Sequence, residues 1–155
     1  MTPATKQLKQ KKIEFEILQY QHDMNATSFG LEAVEKLSLD AHSVFKTLVV
    51  CCESDQLAVA IVPVSLQLNL KAMAKALKVK KIKMAQAKRV ETSTGYVLGG
   101  VSPLGQKKSL PTVIDVSAES LNTMYVSGGK RGLEISLKPL DLAKLCKAVF
   151  APISN

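Results

Sequence analysis

V-F-K-T-L-V-V-C-C at residues 44–52, E-S-D-Q at 53–56 and L-A-V-A-I-V-P-V at 57–64 form one pattern. Two apolar runs rich in β-branched residues flank four residues of turn chemistry. Runs this short and this apolar read as buried strands, and the turn between them makes an antiparallel hairpin. Lys46 interrupts the first strand. An ammonium buried without a partner is expensive, so the side chain either snorkels to the surface on its long stem or projects into a cleft to meet an anion. The residues alone favour snorkelling.

The elements around the hairpin follow from periodicity. Thr2-Pro3 opens a helix with Ala4 and Leu8 inside, and Lys9, Lys11 and Lys12 outside. Residues 14–17 alternate as a strand, and the polar stretch 20–28 is a loop carrying His22, with Tyr20 and Phe29 as possible ligand contacts. Residues 31–37 predict a short helix with Val34 and Leu37 facing inward. Asn69 caps a helix whose apolar positions Leu70, Met73, Ala74 and Leu77 fall at i, i+3, i+4 and i+7. Its lysines point out, and Lys80, Lys81 and Lys83 continue the charge. A short helix at 85–91, strands at 112–116, 123–126 and 133–137, and a helical turn at 117–121 follow. Pro139 begins a final helix whose apolar stripe runs through Leu142, Leu145, Cys146, Val149 and Phe150. The expected fold is α/β of the α+β type: a mixed, mainly antiparallel, barrel-like sheet surrounded by helices, with residues 1–155 as a single domain.

No apolar run of the chain approaches the ~20 residues that span a bilayer, and the first twelve residues lack the apolar core of a signal peptide. The expected location is the cytoplasm, with no membrane partner. Cys51, Cys52 and Cys146 form no C-x-x-C or Cys/His cluster and read as small buried hydrophobes, so no metal or other cofactor is expected. The 21 basic side chains exceed the 13 acidic ones, giving +8 and favouring a polyanionic partner. Aromatics are only 5% of the chain, too few for a base-stacking platform. His22 and His42 lie in loops with no triad, H-E-x-x-H or phosphate-loop pattern around them.

Two glycine-rich turns stand out: G-Y-V-L-G-G-V-S-P-L-G-Q-K-K at 95–108 and S-G-G-K-R-G at 127–132. Such loops can aim main-chain N–H groups at a phosphate or an oxyanion. They can equally be tight turns with solvated cations, which is the reading the residues favour. Composition and spacing do not specify a reaction.

Three motifs in order, F-K-T-L-V-V at 45–50, S-T-G-Y-V-L-G-G-V-S-P-L-G-Q-K-K at 93–108 and Y-V-S-G-G-K-R-G-L-E-I at 125–135, resemble the YbaK family of Cys-tRNA(Pro) deacylases. That family is related to the editing domain of prolyl-tRNA synthetase, and the likeness runs over nearly the whole chain. The resemblance implies trans-editing: hydrolysis of the ester joining cysteine to tRNA(Pro). A synthetase pocket discriminates near-isosteres by only ~10–200-fold, so a second sieve is useful. By the same resemblance Lys46 is the essential lysine, and Gly99, Gly100, Val101, Ser102 and Pro103 form the G-x-x-x-P loop. Tyr20, Phe29 and Thr47 line the pocket, and Ser127 and Gly128 belong to the S-G-G turn. Glu134 stands where the family pattern has aspartate, a methylene longer. Lys46, with Lys130 or Arg131, would neutralise phosphates, while N–H groups of Gly99 and Gly100 hold the ester oxygen. The substrate cysteine's own thiol would be the nucleophile. The implied partners are the acceptor end of tRNA(Pro) and prolyl-tRNA synthetase. Two alternatives stay open: a non-catalytic module that binds tRNA or a synthetase, which needs no open pocket, and an Ala-tRNA(Pro) deacylase, which differs in pocket size.

Overall fold

The structure is a computed structural model describing residues 1–26 and 28–155. The hairpin is at its centre. Strand β2 (Phe45–Cys52) pairs antiparallel with β3 (Leu57–Pro63), in register from Phe45 opposite Pro63 to Cys51 opposite Leu57. Every residue of β3 is buried because both faces of the strand are covered. Val59 and Ile61 pack into one core with Leu8, Phe45, Leu104 and Ile135, while Ala58, Ala60 and Val62 pack into a second with Val50, Met73 and Ile153. Period-two alternation thus serves two cores at once, which is why the run is apolar throughout.

Helix α1 is Pro3–Gln10, β1 is Glu16–Gln19, α2 is Phe29–Leu37, α3 is Leu70–Leu77, β4 is Ile82–Met84 and α4 is Ala87–Thr94. Strand β5 is Thr112–Asp115, followed by a 3-10 turn at Val116–Ser120, β6 at Met124–Ser127, β7 at Leu133–Leu137, α5 at Pro139–Cys146 and β8 at Val149–Ala151. Five strands form one sheet in the order β4-β2-β3-β5-β8, and three form another in the order β1-β7-β6. The pairings β2–β3, β2–β4, β1–β7 and β6–β7 are antiparallel, and β3–β5 and β5–β8 parallel. The mixed, mainly antiparallel architecture is therefore present, but it does not close into a barrel: among the described residues the sheets share a core and are hydrogen-bonded to each other only through the bridge from Val44 to Tyr125. Thr2 and Asn69 cap α1 and α3 as their sequences require, with Asn69 accepting from the Ala72 N–H at 3.0 Å.

Three readings are corrected. Helix α5 stops at Cys146 because Lys147 turns left-handed (φ 52°); Val149 and Phe150 leave the helical stripe and pair in parallel with Val113 and Ile114. The lysine-rich segment after α3, read only as a run of charge, contains β4, an edge strand paired with Val50–Cys52. In α2 the fully buried side chains are Glu32 and Ala33, whereas Val34 and Leu37 are half-buried.

Candidate functional site

β4 pairs with only the last three residues of β2 and β6 bridges the chain just before it at Val44, so the middle of that edge of β2 stays open. Val44 and Cys52 direct their main-chain bonds toward the β3 side, and Val49 O accepts from Ala85 N on the opposite edge at 3.0 Å. Alternation along a strand then turns the N–H and C=O of Thr47 to that same open edge. A cavity of about 300 Å³ lies there, walled by Phe45 to Leu48 of β2, Tyr20, Phe29 and Gly30, Leu98, Gly99 and Val101 of the first glycine loop, and Ser127 with Lys130, Arg131 and Glu134 beyond. The cavity meets β2 edge-on, which is why the consecutive residues Lys46 and Thr47 both line it although their side chains leave opposite faces.

The electrostatics of this hollow are unusual. Among the described residues the buried side-chain polar atoms lacking a hydrogen-bond partner are Thr47 Oγ1 and Glu134 Oε2, and both residues line the cavity. Burial pushes the Glu134 carboxyl up to about 8. Burial lowers the Lys46 ammonium from its ordinary value, and burial, with the Glu134 charge, raises the Tyr20 phenol. The ion pairs among the described residues involve neither Lys46 nor Glu134. A cation, a carboxyl and a hydroxyl thus face one solvent-reachable space without partners, and orphaned buried groups of this kind normally mark a ligand.

Most of the predicted site converges here: Lys46, Thr47, Tyr20, Phe29, Gly99, Val101, Ser127, Lys130, Arg131 and Glu134 all line the cavity. Four do not, each for a visible reason. Gly100 donates its N–H to Val97 O at 3.0 Å, closing a turn with Gly99 at φ 88°, so that amide is unavailable to an oxyanion. A Cβ on Gly100 would stand 2.9 Å from Lys130 Cα; the residue is there to let the two glycine turns touch. Ser102 is fully buried, its Oγ accepting from Leu104 N. Pro103 lines a separate cavity on the far side of the loop, and its carbonyl accepts from the Cys146 thiol. Gly128 closes its own turn, N–H to Leu133 O at 2.8 Å. The amides left for a ligand oxygen are those of Gly99 and Val101, which have no hydrogen-bond partner among the described residues.

Sequence reasoning missed Glu32. Burial works against its ionisation, but hydrogen bonds from Asp23 N–H, His22 and Lys36 hold the carboxyl down to about 2. Glu32 thereby ties the 20–26 loop to α2, where the His22 ring meets Phe29 at 5.5 Å. The only sequence signal was an acid in the first helical turn, which suits any helix. His22 and His42 have structural partners, Glu32 and Ser65, and all three cysteines are free. No group of three metal-ligating side chains gathers among the described residues.

The aminoacyl-tRNA editing domain family matches residues 26–145. A protein of Enterococcus faecalis (strain ATCC 700802 / V583) named as a Cys-tRNA(Pro)/Cys-tRNA(Cys) deacylase, EbsC, is 35% identical over 99% of this chain and 93% of its own. Among solved structures, one described as a trans-editing enzyme for prolyl-tRNA synthetase superposes with a TM-score of 0.83 at 19% identity, covering 99% of this chain and 95% of the other. A hypothetical protein of known crystal structure superposes at 0.88 with 23% identity, covering 99% and 100%. At these identities the structural matches speak for the fold.

Proposed function

Because the chain belongs to the aminoacyl-tRNA editing domain family, we propose that it is a trans-editing deacylase, acting as one domain in the cytoplasm to release cysteine from mischarged tRNA(Pro). The observation that carries this reading is the convergence of unpartnered Lys46, Thr47 and Glu134 on one cavity of about 300 Å³. That volume is at the lower end of ligand sites and suits a small aminoacyl group with the end of its carrier. An open, mainly apolar hollow with a few unpartnered polar groups set in it also favours catalysis over a purely docking role.

Each group then has a task. Glu134, costly to ionise alone, gains a counter-charge when the substrate's α-ammonium enters; this attraction favours the carboxylate. Lys46 meets the terminal phosphate. The free N–H groups of Gly99 and Val101 receive the oxygen of the ester carbonyl as negative charge develops on it. The thiol of the bound cysteine attacks its own carbonyl carbon: an S–C bond forms, the ester C–O bond breaks, and the ribose oxygen leaves with the proton that the thiol has lost. The products are a cyclic thiolactone and free tRNA, with no change in oxidation state. Intramolecular attack of this kind reaches effective molarities up to ~10⁵–10⁸ M in ideal geometry, so no protein nucleophile is required. The acceptor end of tRNA(Pro) is the partner, with prolyl-tRNA synthetase supplying identity in a ternary complex.

The test is hydrolysis of Cys-tRNA(Pro) beside Ser-tRNA(Pro). The hydroxyl analogue keeps the size and loses the nucleophile, so it should be stable. Efficient turnover of it would rule out attack by the substrate's own thiol.

A further inference from the structure

The charge of this protein is concentrated in one place. The segment from Gln56 to Val90 carries seven lysines, one arginine and no acidic residue. Its +8 equals the net charge of the whole chain, leaving 13 basic against 13 acidic residues elsewhere. Arg89 is bound to Asp55 at 2.8 Å. All seven lysines are exposed, and none has an ion-pair partner among the described residues.

The fold brings five of them, Lys71, Lys75, Lys78, Lys81 and Lys83, to one rim. Lys71, Lys75 and Lys78 lie at i, i+4 and i+7, a single outward face along α3 and its C-terminal cap. Lys83 is on β4, opposite Cys51, with Lys81 just before it. β4 is the edge of the five-stranded sheet. α3 covers one face of that edge through Met73 and Leu77, packed with Val50, and α4 covers the other through Val90, packed with Val49 and Cys51. Lysines on an edge strand also discourage another strand from pairing there. That accounts for Lys81 and Lys83, but not for the row on α3.

The rim and the cavity share one line of backbone. β4 occupies the edge of β2 at Val50–Cys52, and the cavity occupies the same edge at residues 45–48. Four residues of strand separate Thr47 from Cys51, about 14 Å. A nucleic-acid duplex presents a phosphate every ~3.4 Å per strand, so a backbone leaving the cavity along this edge meets the lysine rim within a few nucleotides.

We infer that the lysine rim formed by α3 and β4 is the docking surface for the phosphate backbone of the RNA whose 3′ end enters the cavity. The inference rests on the deacylase reading for the identity of that RNA, and its test does not depend on catalysis. The full-length chain and a variant with Lys71, Lys75, Lys81 and Lys83 all changed to Gln are titrated with uncharged tRNA(Pro) at several salt concentrations. A second variant, with Lys9, Lys11, Lys108 and Lys144 changed to Gln, removes the same charge elsewhere; all eight positions are exposed. Each lost phosphate contact lowers the salt slope, log K against log[salt], by about 1. The rim variant should lose about 3–4 from the slope and bind much more weakly, while the control variant stays near the parent. Circular dichroism and thermal melting establish that both are folded. Equal losses in the two variants, unchanged binding in the rim variant, or a parent that binds prolyl-tRNA synthetase but shows no salt-dependent affinity for RNA would each overturn the inference. Absent deacylation in the parent, with RNA binding still lost in the rim variant, defeats the deacylase reading and leaves the rim standing.

Discussion

Replacing Glu134 by Gln should make the protein more stable at alkaline pH and leave it nearly unchanged in mild acid. Glu134 sits on β7 between Leu18 and Ser127, is 6% exposed, and has an oxygen with no partner. Its carboxyl ionises at about 8 when folded, against 4.5 for the ordinary group. Below 4.5 the group is protonated in both states and contributes no pH dependence. Between 4.5 and about 8 the unfolded chain has released the proton and the folded chain retains it. The folded state then binds more protons, so stability falls as pH rises through this window. An interval of about 3.5 pH units at ~1.36 kcal/mol each sets a ceiling of about 5 kcal/mol.

The cavity admits water, which softens that cost, so an observed difference of roughly 2–4 kcal/mol is expected. Urea denaturation of wild type and Glu134→Gln at pH 5, 6, 7, 8 and 9 measures it. Subtracting the two profiles cancels the titrating groups that do not sense Glu134, and Tyr20, whose phenol burial and the Glu134 charge raise from 10.0, stays protonated over this range. The difference should be small at pH 5, grow through neutrality and level off above pH 8. A difference flat to within about 0.5 kcal/mol over the whole range refutes the claim that this carboxyl is buried without a partner, and with it the assignment of Glu134 to a substrate cation.

Lys46→Ala should cut kcat/KM for Cys-tRNA(Pro) by about 10²–10³ with little change in thermal stability, since burial already disfavours the ammonium; undiminished deacylation would remove Lys46 from the site. Gly100→Ala puts a Cβ 2.9 Å from Lys130 Cα and should cost ~1–3 kcal/mol in denaturation and lower activity, by parting the two glycine turns. Glu32→Gln should lower stability at neutral pH and flatten the acid limb. The folded carboxyl is held near 2, below its ordinary 4.5, so its contribution is present above 4.5 and is lost as pH falls toward 2. Melting curves from pH 2 to 7 check this.

What could be read from the sequence was what local chemistry dictates. The hairpin, the Thr2 and Asn69 caps and the apolar face of α3 follow from periodicity and short-range hydrogen bonds, and all are present, except that Leu70 at the start of that face is exposed. Two short strands, β4 and β8, were not legible, although β5, β6 and β7 were. Val149 and Phe150 continue the i+3, i+4 stripe of α5, and nothing local says that Lys147 will turn left-handed. Their strand exists because β5, over thirty residues earlier, offers an edge in parallel. I-K-M at β4 is likewise too short and too charged to read as a strand, and pairs because the edge of β2 opposite β3 is open at Val50–Cys52. The site residues came from motif resemblance rather than from periodicity. The motif grouped Gly99, Gly100, Ser102 and Pro103 without distinguishing those that face the cavity from those that shape it.

That distinction changes what the glycines are for. The sequence suggested amide donors, yet the contacts show that most of the glycine requirement is steric. A Cβ on Gly99 would lie 2.5 Å from Arg131 Nε and 2.6 Å from Phe29, and one on Gly129 would lie 2.7 Å from the Tyr96 ring. Into the space this leaves, Arg131 reaches across to donate to Leu98 O at 2.8 Å while its guanidinium stacks on Phe29 at 4.2 Å. Tyr96, buried beneath, bonds the loop's far limb through Leu104 O at 2.6 Å. The two turns and the start of α2 are therefore one interlocked wall, and Arg131 is committed to holding it. A cation already bonded to a carbonyl and an aromatic face is poorly placed to neutralise a phosphate as well. In the proposed reaction Lys46, which has no partner among the described residues, is the better candidate for that role, and Arg131 would serve by holding the loop that carries the free amides of Gly99 and Val101. Preorganised donors of this kind lower a barrier because they need not reorient as charge develops, and here the packing of two glycine turns against each other supplies the rigidity.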